Sequence, residues 1–131
     1  MKLDGLARRL VTEGKNFAAL GTTMADGSSH TGIVWIDADG DRIFFNTELK
    51  RIKAKNMKRD PRVSMAVWNA ENPYQQAMIR GRVVEMKTEG AEEVIDRLAK
   101  KYMGLEKFPY NQPGDVRVTV FVEPDHIMTV G

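Results

Sequence analysis

Two Asp-Gly pairs, at 26–27 and 39–40, divide the first third of the chain into three short apolar segments. Asp-Gly is a pair that tight β-hairpin turns prefer, because the central positions of such turns need positive φ angles that glycine adopts freely. The segments that these pairs connect span residues 16–24, 29–37 and 42–47. The sequence therefore predicts three consecutive strands that pair as an antiparallel meander.

The second of these predicted strands contains the apolar run from Ile33 to Ile36, in which neither face is polar. A strand with one wet face alternates apolar and polar residues, so this strand is expected to be covered on both sides. A closed or half-closed barrel provides such cover most simply.

The rest of the chain adds helical and strand patterns. Thr88 is expected to cap a helix whose apolar residues show the strongest helical periodicity in the sequence. Gly81 lies in a long predicted strand and can supply the bulge or bend that a small barrel requires. The predicted helices span 1–14, 47–59 and 88–102, and the further strands span 63–67, 75–86, 116–122 and 126–130. We therefore predict an α+β fold, mainly β, with an antiparallel barrel of six or seven strands.

A length of 131 residues fits one domain, residues 1–131, and 42% hydrophobic with 29% charged residues is typical of globular proteins. No window approaches the roughly 18 consecutive apolar residues of a membrane-spanning helix. The N-terminal segment lacks the continuous apolar core of a signal peptide. We therefore expect a cytoplasmic protein that does not associate with membranes.

Cysteine is absent, which excludes a disulfide framework, an iron-sulfur cluster and a thiol nucleophile. The two histidines, His30 and His126, are far apart in the sequence, so we expect no metal site. The motifs of serine hydrolases, P-loop nucleotide triphosphatases and dinucleotide-binding dehydrogenases are also missing. Any chemistry is therefore expected to come from a bound cofactor, and no side chain is assigned as catalytic.

A basic segment lies between Lys50 and Arg62, where seven basic residues accompany one acid. A spacing of 100° per residue places five residues on the buried face of the predicted helix, namely Leu49, Ile52, Lys53, Asn56 and Met57. A buried ammonium needs a carboxylate, a route along its stem to solvent, or a bound anion. Lys53 lies with Arg51 in the first turn, where unpaired backbone N–H groups favour a phosphate. We favour a phosphate clamp; the alternative is a surface helix whose lysine reaches solvent.

Several segments resemble the split-barrel proteins related to pyridoxamine 5'-phosphate oxidase, namely ADGSS (25–29), HTGIVWID (30–37), IFFNT (43–47) and RIKAKNMKRDPRV (51–63). The similarity continues through NPY, IRGRVVE and IDRLAKKYMG, so it covers about the whole chain. Within this superfamily the chain most resembles the branch that uses the deazaflavin coenzyme F420. The resemblance implies an FMN-binding split-barrel fold and a homodimer with two cofactor sites at the subunit interface.

The resemblance also implies which residues bind the cofactor. Arg51, Lys53 and Asn56 would hold its phosphate, with Asn46 and Thr47 toward the phosphate end. The ring would lie along the second and third strands, near His30, Thr31, Ile33, Val34 and Trp35. Coenzyme F420 has a more anionic tail than FMN, and four cations beside the clamp are expected to attract it, namely Lys50, Lys55, Lys58 and Arg59.

The function that the resemblance implies is a coenzyme F420-dependent oxidoreductase. It would transfer a hydride from the reduced deazaflavin to an electron-poor small molecule such as an enone, a quinone or a tetrapyrrole. The alternative is an FMN- or haem-binding carrier or sensor without turnover. The chain ends in HIMTVG, without the basic motif that grips the substrate of true pyridoxamine phosphate oxidases, which argues against vitamin B6 oxidation. An oligonucleotide-binding barrel is a third hypothesis, but paired surface aromatics for base stacking are not evident, and we expect no nucleic-acid partner.

Overall fold

The computed structural model describes residues 1–131 as three helices and seven strands, and all strand pairs are antiparallel. The predicted mainly-β class with helices is confirmed. The helices are α1 (Gly5–Thr12), α2 (Ile52–Arg59) and α3 (Ala91–Met103). The strands are β1 (Phe17–Thr23), β2 (Ser29–Trp35), β3 (Asp37–Asp39), β4 (Arg42–Glu48), β5 (Arg62–Asn69), β6 (Asn72–Lys87) and β7 (Arg117–Val130).

The seven strands form one sheet in the order β2-β1-β5-β6-β7-β4-β3. Both Asp-Gly turns form, with Gly27 and Gly40 at positive φ. The predicted meander is wrong, because β2 pairs with β1 alone and β4 pairs with β7 and β3. Between β2 and β3 the backbone N–H of Ile36 donates to the Tyr102 hydroxyl rather than to a strand. The barrel therefore has an unpaired split between β2 and β4.

The core fills the inside of the barrel and the groove under α1. Its largest fully buried side chain is Phe45, and α1 contributes Ala7, Leu10 and Val11. A second, smaller cluster lies under α3, where Ile95, Leu98 and Tyr102 pack against Trp35, Phe44 and Phe108. The two clusters fix both walls of the split. None of the three helices is long and apolar enough to cross a membrane.

The long strands bend where the sequence carries Gly81. The pairing of β6 with β7 shifts register between Arg80 and Gly81, so the predicted bulge is confirmed. A Cβ at position 81 would lie 2.5 Å from the backbone oxygen of Glu123, which only glycine avoids. Pro124 faces Gly81 at this shift, so β7 passes through the proline, and the two strands predicted on either side of it are one.

Two helix boundaries differ from their predictions. Thr47 belongs to β4, and α2 begins only at Ile52. Thr88 does not cap α3 with its side chain, because Gly90 at φ 73° precedes the helix. The Thr88 carbonyl instead accepts a backbone hydrogen bond from Ala91.

The prediction that both faces of β2 are covered is wrong within one chain. Ile33 is 56% exposed, whereas Val34 on the opposite face is buried. The outer face of β2, which carries Ser29, Thr31 and Ile33, is therefore open to solvent or to a partner.

Candidate functional site at the split of the barrel

A pocket of about 180 Å³ lies at the split of the barrel. One side comes from the free edge of β2 and the other from the end of β4, and the first turn of α2 forms the floor. The apolar side comes from α3 and the segment that follows it. The lining residues are Ile33, Val34, Trp35, Asn46, Thr47, Glu48, Arg51, Lys53, Ile95, Leu98, Phe108 and Arg117.

Three cations and one carboxylate make up the charged wall of this pocket. Glu48 is buried, and its carboxylate lies 3.3 Å from Arg51 Nε and 3.6 Å from an Arg117 terminal nitrogen. The same carboxylate lies 3.9 Å from the ammonium of Lys50, outside the pocket lining. One carboxylate is therefore shared among several cations, and the pocket keeps an excess of positive charge.

Lys53 is half-buried and has no carboxylate partner. Burial lowers the pKa of its ammonium, and the charges of Arg51 and Arg117 lower it further. The first of the three predicted fates of this lysine, a pairing carboxylate, is therefore excluded. A route to solvent through the pocket or a bound anion remains, and both place the ammonium in the pocket.

Arg117 also lines the pocket, and two contacts hold its guanidinium in place. Its Nε donates to Asn46 Oδ1 at 2.8 Å, and its guanidinium lies 5.1 Å from the ring centre of Phe108. Burial lowers the pKa of Arg117, while Glu48 opposes this shift. The Asn46 amide donates in turn to the Ala91 carbonyl and to Thr119 Oγ1. Asn46 therefore positions Arg117, and its amide is fully used within the protein.

The aromatic wall is a stack of rings. Trp35 lies parallel to Tyr102, with ring centres 5.2 Å apart, and meets Phe108 edge-on at 5.9 Å. The Tyr102 hydroxyl donates to the Asn16 carbonyl at 2.5 Å, and burial raises the pKa of Tyr102 to about 12. A flat apolar surface thus stands beside the cationic wall.

Comparison with known proteins then decides the family. The sequence profile described as pyridoxamine 5'-phosphate oxidase matches residues 7–129. The chain belongs to this family. The resemblance stated from the sequence segments is thereby confirmed, and so is the split-barrel fold. No curated protein matches the sequence.

Solved structures of this split-barrel kind include an F420 reductase that is 26% identical to the chain, with a TM-score of 0.79 over 92% of this chain and 94% of that one. A pyridoxamine 5'-phosphate oxidase-related, FMN-binding protein from Nostoc punctiforme is 13% identical, with a TM-score of 0.62 over 85% and 72% of the two chains. General Stress Protein 26 from Bacillus anthracis is 12% identical, with a TM-score of 0.66 over 94% and 90%. The last two likenesses concern the fold alone.

This family member brings together seven of the residues predicted for cofactor binding, namely Arg51, Lys53, Asn46, Thr47, Ile33, Val34 and Trp35. Asn56 lies outside the pocket, because its amide turns toward β1 and donates to Thr22 Oγ1 at 3.1 Å. Lys50 also lies outside, in a 2.8 Å ion pair with Asp115.

The two remaining predicted residues lie on opposite faces of β2. Thr31 faces outward into a groove on the outer surface of the sheet. His30 faces α2, and its Nδ1 is buried with no hydrogen-bond partner. Neither residue lines the pocket at the split.

The cofactor-binding residues predicted from the sequence did not include Glu48, Arg117 or Phe108. Glu48 ends β4 and carries no sequence signal for its burial. Arg117 lies between Val116 and Val118 on the other face of β7, and this was the one usable signal, because a cation on the second face of a half-buried strand needs a partner. Phe108 lies in an irregular segment with no periodicity. The structure shows no group of three or more acidic or histidine side chains that could hold a metal ion.

Proposed function

We propose that the chain binds a phosphate-bearing flavin or deazaflavin in the pocket at the split, and that it acts as a coenzyme F420-dependent reductase. The observation that carries the proposal is the half-buried Lys53 ammonium without a carboxylate, beside two more cations and an aromatic wall. Such a charge costs stability unless an anion accompanies it. A phosphate joined to a flat ring system matches both walls.

The cationic wall suits a phosphate in its geometry as well as in its charge. Arg51 stands at the start of α2 in an extended conformation, so the first backbone N–H groups of the helix follow it directly. These donors and the positive end of the helix dipole favour an anion there. Glu48 holds the Arg51 guanidinium at the pocket wall. Arg51 and Lys53 would thus hold the phosphate from two sides.

The aromatic wall suits one face of a ring system. Tyr102 stacks on one face of Trp35 and Phe108 meets it edge-on, so the Trp35 ring keeps its orientation without a ligand. Preorganised aromatic surfaces bind rings with little loss of side-chain entropy. Trp35 and its neighbours would orient the ring and exclude water from one of its faces.

The bound deazaflavin would supply the hydride chemistry, as cofactors of this kind do. The chain's part is to bind, to orient and to set the local charge. Glu48 is occupied by cations, and Arg117 and Lys53 are themselves cations, so these residues act through electrostatics. The acceptor of the hydride is proposed to be an electron-poor small molecule such as an enone, a quinone or a tetrapyrrole.

The choice of F420 over FMN has support from the exposed cations on α2. Lys50 is tied to Asp115, and Arg59 donates to the Thr23 carbonyl and to Asn56. Lys55 and Lys58 are exposed and form no salt bridge, so they are the two that an anionic tail would meet. The set of tail-binding cations proposed from the sequence is thereby reduced from four to two.

A homodimer forms part of the proposal. The pocket volume of about 180 Å³ is below the roughly 300–1,000 Å³ of pockets that enclose whole ligands. One chain would therefore cover only part of a cofactor. A groove of about 490 Å³ crosses the outer sheet face, lined by small and apolar residues such as Ala19, Gly21, Ala66, Met78 and Met128. A second copy seated on this face would complete the site.

The test has two steps. Purified protein is titrated with oxidised coenzyme F420, with FMN and with haem, while tryptophan fluorescence and the fluorescence or absorbance of the cofactor are followed. Reduced F420 is then mixed with the protein and with enone, quinone and tetrapyrrole acceptors, and its oxidation is measured. Tight F420 binding and protein-dependent oxidation support the reductase. Tight binding without turnover would favour a carrier over a reductase, and a preference for FMN or haem would show that F420 is not the cofactor.

A further inference from the structure

Gly32 leaves an open space between β2 and α2. A Cβ built at position 32 would lie 3.8 Å from Lys53 Nζ and 4.0 Å from His30 Cε1, with no other atom within 4 Å. Both distances are ordinary van der Waals contacts, so the space is about the size of a methyl group. The Lys53 ammonium and the His30 imidazole ring thus border a small gap over the backbone of Gly32, which has no side chain.

The imidazole at this gap is incompletely satisfied. Nδ1 of His30 is the one buried side-chain nitrogen or oxygen atom of the structure without a hydrogen-bond partner. Buried polar atoms in folded proteins are nearly always bonded, and an exception needs an explanation such as a missing ligand. Lys53, on the other side of the gap, also has no carboxylate. The Lys53 ammonium and the His30 ring, which meets the space through Cε1 next to the unpartnered Nδ1, therefore lie beside the same space.

The neighbouring polar groups are already engaged. His30 lies opposite Thr22 in the pairing of β1 with β2, and Thr22 Oγ1 accepts from Asn56. The side-chain Oδ1 of Asn56 accepts from Arg59. Asn56 is therefore not free to bind a ligand, whereas His30 is.

We propose that His30 and Lys53 bind one phosphate oxygen in the space over Gly32, so that His30 takes the place of Asn56 as the third member of the anion clamp. A neutral imidazole can carry its proton on Nδ1, and an ammonium has three donors, so both can donate to the same oxygen. The bare backbone at Gly32 lets the anion approach closely. The inference rests on the proposed function only for the source of the phosphate, which is the cofactor rather than free phosphate.

The Gly32→Ala variant tests this subsite sterically. The added methyl group meets only ordinary contacts and Gly32 is not at positive φ, so the fold tolerates it. It fills the space that the phosphate oxygen needs. We expect the affinity for the phosphate-bearing cofactor, F420 or FMN, to fall at least about tenfold relative to that for the same ring system without its phosphate tail, which is riboflavin in the case of FMN, since a hydrogen bond to the charged phosphate is lost. Ser29→Ala, on the same strand and exposed, is the control and keeps the wild-type ratio.

A second measurement reads His30 directly. The chain has two histidines, and His126 is exposed on β7, so imidazole resonances in NMR offer a probe and an internal reference. Inorganic phosphate should shift the Nδ1 resonance of His30, assigned with His30→Gln, and this shift should vanish in Gly32→Ala. Equal shifts at both histidines, or no shift at His30, would overturn the subsite.

The outcomes separate this inference from the proposed function. If wild-type protein binds F420 or FMN and Gly32→Ala keeps the same ratio of affinities for that cofactor and its phosphate-free ring system, the subsite is wrong and the proposed cofactor site stands. If neither flavin nor deazaflavin binds but phosphate still shifts His30 in the wild type alone, the subsite stands as a site for free phosphate and the proposed function is wrong.

Discussion

Lys53 links stability to binding at the scale of a single residue. Its pKa is lowered by burial and by Arg51 and Arg117, which means that the folded protein disfavours the charged ammonium. The stability cost is fully present at neutral pH. It is relieved as the pH rises through the lowered pKa of Lys53 toward its ordinary value of 10.5. A residue kept at such a cost is typical of a ligand site.

The Lys53→Met variant should therefore raise the stability of the ligand-free protein, because Met fills the same space without a charge. A gain of about 1 kcal/mol would raise the Tm by roughly 2–8 °C. Thermal unfolding followed by circular dichroism measures this change. Lys55→Met, on the exposed face of the same helix, is the matched control and should leave the Tm unchanged. A Tm of Lys53→Met below that of the wild type would show that the ammonium is stabilising.

The residues of the site show what the sequence could and could not predict. Helical spacing placed Lys53 and Asn56 on the buried face of α2, and in the structure Asn56 is buried and Lys53 half-buried. Spacing cannot say which neighbour each side chain meets, so the hydrogen bond from the Asn56 amide to Thr22 was not predicted. Ile52 was also predicted to be buried, but it is 50% exposed because the helix begins there.

At the scale of elements, α3 sets the position of the aromatic wall. Tyr102 stacks on Trp35 and donates to the Asn16 carbonyl, while its hydroxyl accepts from the Ile36 N–H. Lys101 donates to the carbonyls of Val11 and Ile36. The helix is thereby fastened to α1 and to the break between β2 and β3.

The Tyr102→Phe variant tests this fastening. It leaves the stacking in place but removes the hydrogen-bond partner of two buried backbone groups, the Ile36 N–H and the Asn16 carbonyl. The expected cost is about 1–3 kcal/mol in the free energy of unfolding. The tyrosine pKa is raised to about 12, so the unfolded chain loses this proton first, and stability should fall between about pH 10 and pH 12. Denaturant unfolding at several pH values measures both effects. The variant should show a smaller fall over that pH range, and an equal fall would show that Tyr102 does not cause it.

The order of the elements was less predictable than their existence. The Asp-Gly turns, the bend at Gly81 and the periodic third helix were all correctly predicted, because each depends on local chemistry. The pairing of β4 with β7 joins residues about 70 positions apart in sequence, such as Phe45 and Val120, and local patterns carry no information about it. The split that forms the pocket is therefore a property that the resemblance implied and that spacing alone did not.

At the scale of the whole molecule, the exposed outer face of the sheet is the surface proposed to pair with a second copy. Met128 on this face is 64% exposed. Sedimentation at micromolar concentration should show a dimer, and Met128→Asp should convert it to a monomer with weaker cofactor binding. Leu105→Asp, which replaces an apolar residue of 41% exposure in the segment after α3, should keep the dimer. A wild-type monomer would contradict the proposed assembly.

The most direct test of the central claim is the affinity of coenzyme F420 for the wild type and for Lys53→Met, measured by fluorescence titration on the same protein preparations. We expect saturable binding to the wild type and a loss of about 1.5–3 kcal/mol of binding free energy in the variant, because a charge-assisted contact to the phosphate is removed. Equal affinities, or no saturable binding to the wild type, would contradict the assignment of the pocket at the split as the cofactor site.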